Sequence, residues 1–354
     1  MQVDYLIVGQ GICGTTLSWN FIEAGLSFVV IDGPNPSSSS RVAAGLINPI
    51  AGKRYVKSWL YDTMLPAALE TYARIGSGLG SDLVKQLNLL QFHTTPAERQ
   101  AFMEKMPELP DYLAEVDHTH LQASFSHLFG TGSISSCHVI DSGTLLDKWR
   151  ANLKSKDLLI DDHFEVSQLS ISGASITYQD ISAKKVIFCD GANAAASPYF
   201  SLLPFSLNKG EALVVRIPDL SPDHIYKHQL KLIPIEGDLF WFGASFEWKY
   251  PDVGPTEAFR QKAEHILLHW LKLPYTIEAH FAGERPSTVD YRPFAGFHPH
   301  IPGVGIFNGM GTKGYLQAPY FARQITDHLV NATPIMPEVS VNRYQNVLSR
   351  GVSS

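Results

Sequence analysis

The sequence carries only three cysteines, Cys13, Cys137 and Cys189, in 354 residues. They are too few and too scattered for a disulfide framework or a zinc site, and they suit a reducing cytosol. No run approaches the roughly 18 apolar residues of a membrane span, so no membrane partner is expected. No basic region and cleavage site precede the first strand-like run, which predicts no signal peptide and a cytoplasmic chain. Positive charge is not in excess. The formal net charge is −6, which gives no general support for a nucleic-acid partner. His224 and His228 stand four apart, a spacing that suits a metal on a helix, but no third ligand accompanies them and no metal is expected. Internal repeats, long low-complexity segments and clean linkers are also missing. A chain of this length then reads as one large domain or two interleaved ones.

What is present is an ordinary globular balance, 45% apolar and 18% charged. The 19 Phe, 14 Tyr and 6 Trp supply apolar surface for a core and for a flat aromatic ligand. The most informative stretch comes first. Val3–Val8 reads as a buried strand and runs into Gly9-Gln10-Gly11-Ile12-Cys13-Gly14, then into a helical run ending near Gly25. In that context GxGxxG has a mechanism. The first glycine permits the turn, the second lets a pyrophosphate approach the backbone, and the third lets helix and strand pack closely. Free N–H groups and the helix dipole face the phosphates. A second strand, Phe28–Ile31, ends in Asp32, whose carboxylate suits ribose hydroxyls, followed by Gly33. These residues predict a dinucleotide, with NAD and FAD both open.

Further along, Gly33 to Ser40 is a loop by composition, its hydroxyls within reach of phosphates. The small residues of Arg41–Pro49 would let a backbone lie flat against a planar ring. Lys53, Arg54 and Lys57 make either a solvated face or a cationic rim over a site. A helix is expected from Trp59 to about Ile75, interrupted by Pro66, with short helices at Ser81–Leu90 and Pro96–Met106. Strands are expected at about Gln86–His93 and at Ser133–Ile140, and a helix at Leu145–Leu153. Short β runs follow at Leu158–Ile160, Phe164–Leu169 and Ala174–Tyr178. The apolar run from Lys185 to Phe188, closing on Asp190 and Gly191, reads as a strand returning beside the first, which implies a domain inserted between them. Leu213–Ile217, Lys231–Pro234 and Leu239–Phe246 read as antiparallel, the last two joined at Gly237-Asp238. Glu257–Leu271 is an amphipathic helix with Phe259, Ala263, Ile266, Leu267 and Trp270 on its apolar side. His298-Pro299-His300 reads as a surface loop, and Tyr226, Tyr250, Tyr291 and Tyr315 are candidates for a pocket. Val304–Phe307, the glycines 309, 311 and 314, and a helix from about Tyr315 to Val330 form a second strand–glycine–helix unit. Two such units, at opposite ends of the chain, suggest a long cofactor held at both ends.

These residues together resemble the D-amino acid oxidase family of flavoproteins, which includes glycine oxidase and monomeric sarcosine oxidase. The resemblance rests on Gly9–Gly14 with Asp32, on Ala43-Ala44-Gly45-Leu46, and on Cys189-Asp190-Gly191. It rests also on Gly283-x-Arg285-Pro286-x-Thr288-x-Asp290 and on Gly309-x-Gly311-x-Lys313-Gly314. It implies an α/β fold with a Rossmann-like FAD-binding domain of discontinuous segments (1–60, 140–203 and 282–354). A substrate domain with a mostly antiparallel sheet (61–139 and 204–281) completes it. By the same resemblance Gly9, Gly11, Ile12, Cys13 and Gly14 hold the FAD pyrophosphate, and Asp32 and Gly33 the adenosine ribose. Arg41, Ala44, Gly45 and Leu46 lie along the flavin side, Val166 touches adenine through its backbone, and Asp190 and Gly191 close the neighbouring turn. Gly283, Arg285, Gly311, Thr312, Lys313 and Gly314 approach the flavin.

The resemblance also implies that Arg285 holds a substrate carboxylate, the alternative being a salt bridge to Asp290 or Glu284. Lys313 would share that carboxylate. A family tyrosine falls at Lys231, a third catalytic candidate, and a sarcosine oxidase lysine implicated in oxygen activation falls near Trp241. No cysteine lies close to Arg285 or Lys313 along the sequence, so the FAD is expected to be non-covalent. The expected reaction moves a hydride from a carbon bearing a neutral amine to flavin N5 on a small amine or amino acid, which needs placement more than a side-chain base. Three alternatives remain at this point: a flavin oxidase acting on a modified tRNA nucleoside, a nicotinamide-dependent dehydrogenase, and a non-enzymatic flavin-binding protein.

Overall fold

In the computed structural model, which describes residues 1–117, 119–173 and 175–351, the opening segment forms β1 (Gln2–Val8), α1 (Ile12–Glu23) and β2 (Phe28–Ile31). The apolar, fully buried runs Tyr5–Val8 and Phe28–Ile31 fit a parallel sheet covered on both faces. β1 and β2 pair in parallel from Tyr5 opposite Phe28 to Val8 opposite Ile31. The strand Ile181–Phe188 lies on the other side of β1, also parallel, ending with Val8 opposite Phe188. The strand Val304–Asn308 extends that edge in parallel. The chain thus returns twice to its first sheet from distant positions: the return of Ile181–Phe188 is the one its apolar run predicts, and that of Val304–Asn308 is a further one. The helix Gly314–Asn331 packs directly against α1.

Among the described residues, those in between build a second sheet of nine strands. Its central part runs antiparallel through Thr276–Arg285, Asn208–Arg216, Leu239–Gly243, Lys231–Pro234 and His224–Lys227. One parallel pair, His224–Lys227 with Val84–Phe92, joins it to Thr131–Ile140 and Leu46–Ile47. The helix Glu257–Trp270 covers one face with Phe259, Ala263, Ile266, Leu267 and Trp270 buried, as its spacing predicts.

Several expectations are corrected. Ser81–Leu90 is not a helix. The strand Val84–Phe92 occupies it, because its closely spaced apolar residues fit either period and the ten-residue partner strand Thr131–Ile140 decides the matter. The helix Tyr61–Leu79 runs unbroken through Pro66. That proline sits near the helix start, where it removes a single intrahelical bond, and Met64, Ala68, Tyr72 and Ile75 bury the face beyond it. Phe164–Leu169 is not a strand: Val166–Gln168 wind into a 3₁₀ turn, and pairing begins at Leu169. Of the run Ala174–Tyr178, Ser175–Tyr178 is a strand and Ala174 lies outside the described residues. His298 is buried, not on the surface, because its Nδ1 accepts the N–H groups of His300 and Ile301 at 3.1 Å each. Burial pushes its pKa down to about 4. His224 lies on a strand that ends at Lys227, so its spacing from His228 is not a helical one.

Candidate active site

A cavity of about 970 Å³ is lined by residues of both sheets, from Gly9 and Asp32 at one end to Arg285 and Lys313 at the other. At the first end it meets the start of α1, where the first-turn N–H groups have no helical partners. The Ser40 hydroxyl accepts one of them, from Ile12, at 3.0 Å. Asp32 accepts the Gln10 N–H at 2.9 Å through Oδ1. Its Oδ2 accepts from Arg150 at 2.5 Å. Arg150 also donates to the Asp32 carbonyl, at 2.6 Å, and pairs with Asp161. Asp190 faces the same end. Burial pushes its carboxyl up to about 7, while Asn308 donates to it at 3.2 Å and to the Gly191 carbonyl at 2.9 Å. Ala44, Gly45 and Leu46 line the middle, beside Trp241, whose Nε1 donates to the Val42 carbonyl at 2.9 Å.

At the far end Gly311, Thr312 and Lys313 lead into the helix Gly314–Asn331. Lys313 Nζ donates to Ser58 Oγ at 3.0 Å and to the Asn48 carbonyl at 3.3 Å. Burial lowers its pKa to about 8. Arg285 Nη1 donates to Asn208 Oδ1 at 2.9 Å and to the Ser245 carbonyl at 3.2 Å. Its guanidinium lies 4.5 Å from the centre of the Phe246 ring. Burial lowers its pKa to about 10. The neighbouring carboxylates are committed elsewhere. Glu284 accepts from Tyr250, and Asp290 pairs with Arg343 at 3.4 Å. Arg285 therefore presents a guanidinium to the cavity without a carboxylate partner among the described residues. The salt-bridge alternative for this residue is not what the chain adopts.

Every residue given a catalytic or cofactor-binding role by the resemblance lines this cavity, including Lys231, Val166 and Gly283, with one exception. Gly14 sits behind the wall, and a Cβ there would run into the Gly9 carbonyl, so this glycine serves packing. Arg41 lines the cavity while donating to Asp147 at 2.5 Å. Lys53 and Arg54 are exposed and Lys57 pairs with Asp62, so this stretch forms a solvated face and not a rim. Of the four tyrosines only Tyr315 lines the cavity; Tyr226 is buried in the core and Tyr291 is exposed. Sequence reading missed Arg150, Asn208, Gly210 and Lys227. The first three lie far in sequence from what they support, but the Lys227–Lys231 spacing across a short hairpin was a usable signal.

The long cavity suits FAD. It has a helix start and a carboxylate at one end, small residues along the middle, and a second glycine turn at the other. Among the described residues no helix is long and apolar enough to cross a membrane, and no group of three His, Cys, Asp or Glu side chains is placed to hold a metal. The chain is similar to glycine oxidase of Bacillus subtilis, 21% identical over 353 residues, 93% of each chain. Its fold matches that of glycine oxidase from Geobacillus kaustophilus, with a TM-score of 0.79 and 18% identity over 95% of this chain and 99% of that one. It also matches iminodiacetate oxidase from Chelativorans sp. BNC1, with a TM-score of 0.76 and 18% identity over 96% and 98%. Residues 4–328 match the DAO family model, described as FAD dependent oxidoreductase, and the protein belongs to that family of FAD-dependent enzymes.

Proposed function

We propose that this enzyme oxidises the C–N bond of a small amino acid or secondary amine by hydride transfer to flavin N5. The observation that carries the reading is Arg285, a half-buried guanidinium at the cavity end with no carboxylate partner among the described residues. A two-pronged donor of that kind suits a substrate carboxylate. Lys313 adds a second cation, oriented by Ser58 and Asn48. Names of the relatives support the amine class, since glycine oxidase and iminodiacetate oxidase are among them.

FAD supplies the two-electron acceptor when bound. The substrate loses one C–H bond with its electron pair and, from its neutral amine, one proton; a C=N bond forms, and water then splits the imine into a carbonyl compound and an amine. The protein's own part is placement. Arg285 and Lys313 clamp the carboxylate, and Trp241, held by Val42, shields one side from water. We assign Gly9, Gly11, Ile12, Cys13, Asp32, Gly33, Ala44, Gly45, Leu46, Asp190, Gly191, Gly311 and Thr312 to the cofactor. Segments 1–60, 140–203 and 282–354 form the FAD-binding part in this reading. A cytoplasmic setting would keep its three free thiols reduced. The test is anaerobic titration of the yellow protein with glycine, D-amino acids, N-methyl amino acids and cyclic imino acids, following the flavin band at about 450 nm. Bleaching by members of the panel is expected; a panel that leaves the band intact overturns the reading.

A further inference from the structure

Two lysines in the cavity have no assignment in this scheme. Lys227 and Lys231 face each other across the hairpin of His224–Lys227 and Lys231–Pro234, as a direct cross-strand pair. Like charges in that arrangement destabilise a sheet. Both line the same cavity as Arg285 and Lys313. Burial lowers the pKa of both, and the charges of Lys227, Lys313 and Arg285 push Lys231 further down, to about 7. A repulsive cluster of this kind calls for anions.

The described residues do not provide them. Of the cavity's carboxylates, Asp32 is held by Arg150, Asp190 by Asn308 and Glu284 by Tyr250, while Glu165 is exposed beside Val166. Glu211 accepts from the Thr256 N–H and hydroxyl at 2.6 and 2.8 Å and pairs with buried Lys209 at 3.2 Å. Glu98 acts on Lys227 from outside the cavity, but it is engaged by Thr94 and Gln91. Among the described residues neither Lys227 nor Lys231 has a salt-bridge partner. One substrate carboxylate on Arg285 and Lys313 leaves this lysine pair unmatched.

We infer that the substrate is a dicarboxylic amine, its first carboxylate held by Arg285 and Lys313 and its second by Lys227 and Lys231. The inference rests on the amine-oxidising reading above and narrows its substrate class. It adds no step to the chemistry: the same C–H bond breaks, and the second carboxylate is only bound.

The test uses the FAD-loaded enzyme and matched pairs that differ by one carboxylate: N-methylglycine with iminodiacetate, and alanine with aspartate in each chirality. Anaerobic stopped-flow should give at least tenfold higher flavin reduction rate over Kd for the dicarboxylic member of one or more pairs. Lys227→Met and Lys231→Met should bring that ratio toward one, with flavin content and melting temperature reporting that each variant folds. Equal or better reduction by every monocarboxylic member overturns the dicarboxylate inference while leaving the amine reading intact. If no amine reduces the flavin, the amine reading fails, and binding still decides the lysine pair. Malonate should then raise the melting temperature more than acetate, and the excess should vanish in both variants. Equal shifts from malonate and acetate overturn the inference.

Discussion

Gly210 and Arg285 lie on adjacent strands so close together that a Cβ at position 210 would occupy the space of the guanidinium. The three atoms nearest to that Cβ all belong to the Arg285 guanidinium. Gly210→Ala should therefore displace Arg285 without touching the cofactor end of the cavity. The expected outcome is normal flavin content with Kd for a carboxylate substrate raised tenfold or more, about 1.4 kcal/mol. Flavin absorbance per protein and anaerobic substrate titration check it, and an unchanged Kd would mean that Arg285 does not hold the substrate.

Arg285→Ala removes the guanidinium itself. A hydrogen bond to a charged group contributes about 1.5–3 kcal/mol, so binding of a carboxylate substrate should weaken at least tenfold while FAD is retained. Arg285→Lys should recover only part of it, because an ammonium lacks the planar fork. Steady-state kcat/KM across the three proteins measures the order. Turnover equal to the parent in Arg285→Ala would remove this residue from the site.

Much of this arrangement was legible in the sequence, and the reasons differ by residue. Gly9, Gly11 and Asp32 are legible because two apolar runs, a glycine spacing and a helical run mark out a strand, a turn, a helix and a second strand. The strand to Phe188 was legible as a return to the first sheet, since nothing else buries a run of that character. The far glycine turn then separated FAD from a nicotinamide cofactor, and the family match agrees. What stayed hidden was contact between distant segments. Arg150 reaches Asp32 across 118 positions, and Asn208 reaches Arg285 across 77. The error at Ser81–Leu90 has a different cause, since partner strands, and not local spacing, decide short apolar runs.

Gly11→Val places a branched side chain at the start of α1. A Cβ there would already stand 3.0 Å from Ser40 Oγ, and the branches beyond it would fill the phosphate side of the turn. The protein should purify colourless or nearly so, with its far-ultraviolet circular dichroism preserved. Flavin content close to that of the parent would show that the pyrophosphate does not approach this glycine.

The pH dependence of anion binding follows from Lys313. Its pKa is lowered to about 8 by burial, and the nearby Cys137 thiol is itself pushed up to about 12 and stays neutral over the working range. A carboxylate binds the protonated lysine. Below pH 8 the charge is already present and Kd is flat with respect to this group. Above pH 8 binding must take up a proton, so Kd should weaken toward tenfold per pH unit. The neutral amine required for hydride loss runs the other way, so the reduction rate at saturation rises with pH while affinity falls. Stability of the unliganded protein should also rise from about pH 7 upward, because the unfolded chain, with ordinary lysines, binds more protons there than the folded one with Lys231 and Lys313 depressed. Acetate titrations of the flavin spectrum between about pH 6.5 and 9.5 separate these effects. Lys313→Met should abolish the slope above pH 8, and a slope that persists in that variant would assign the titration to another group.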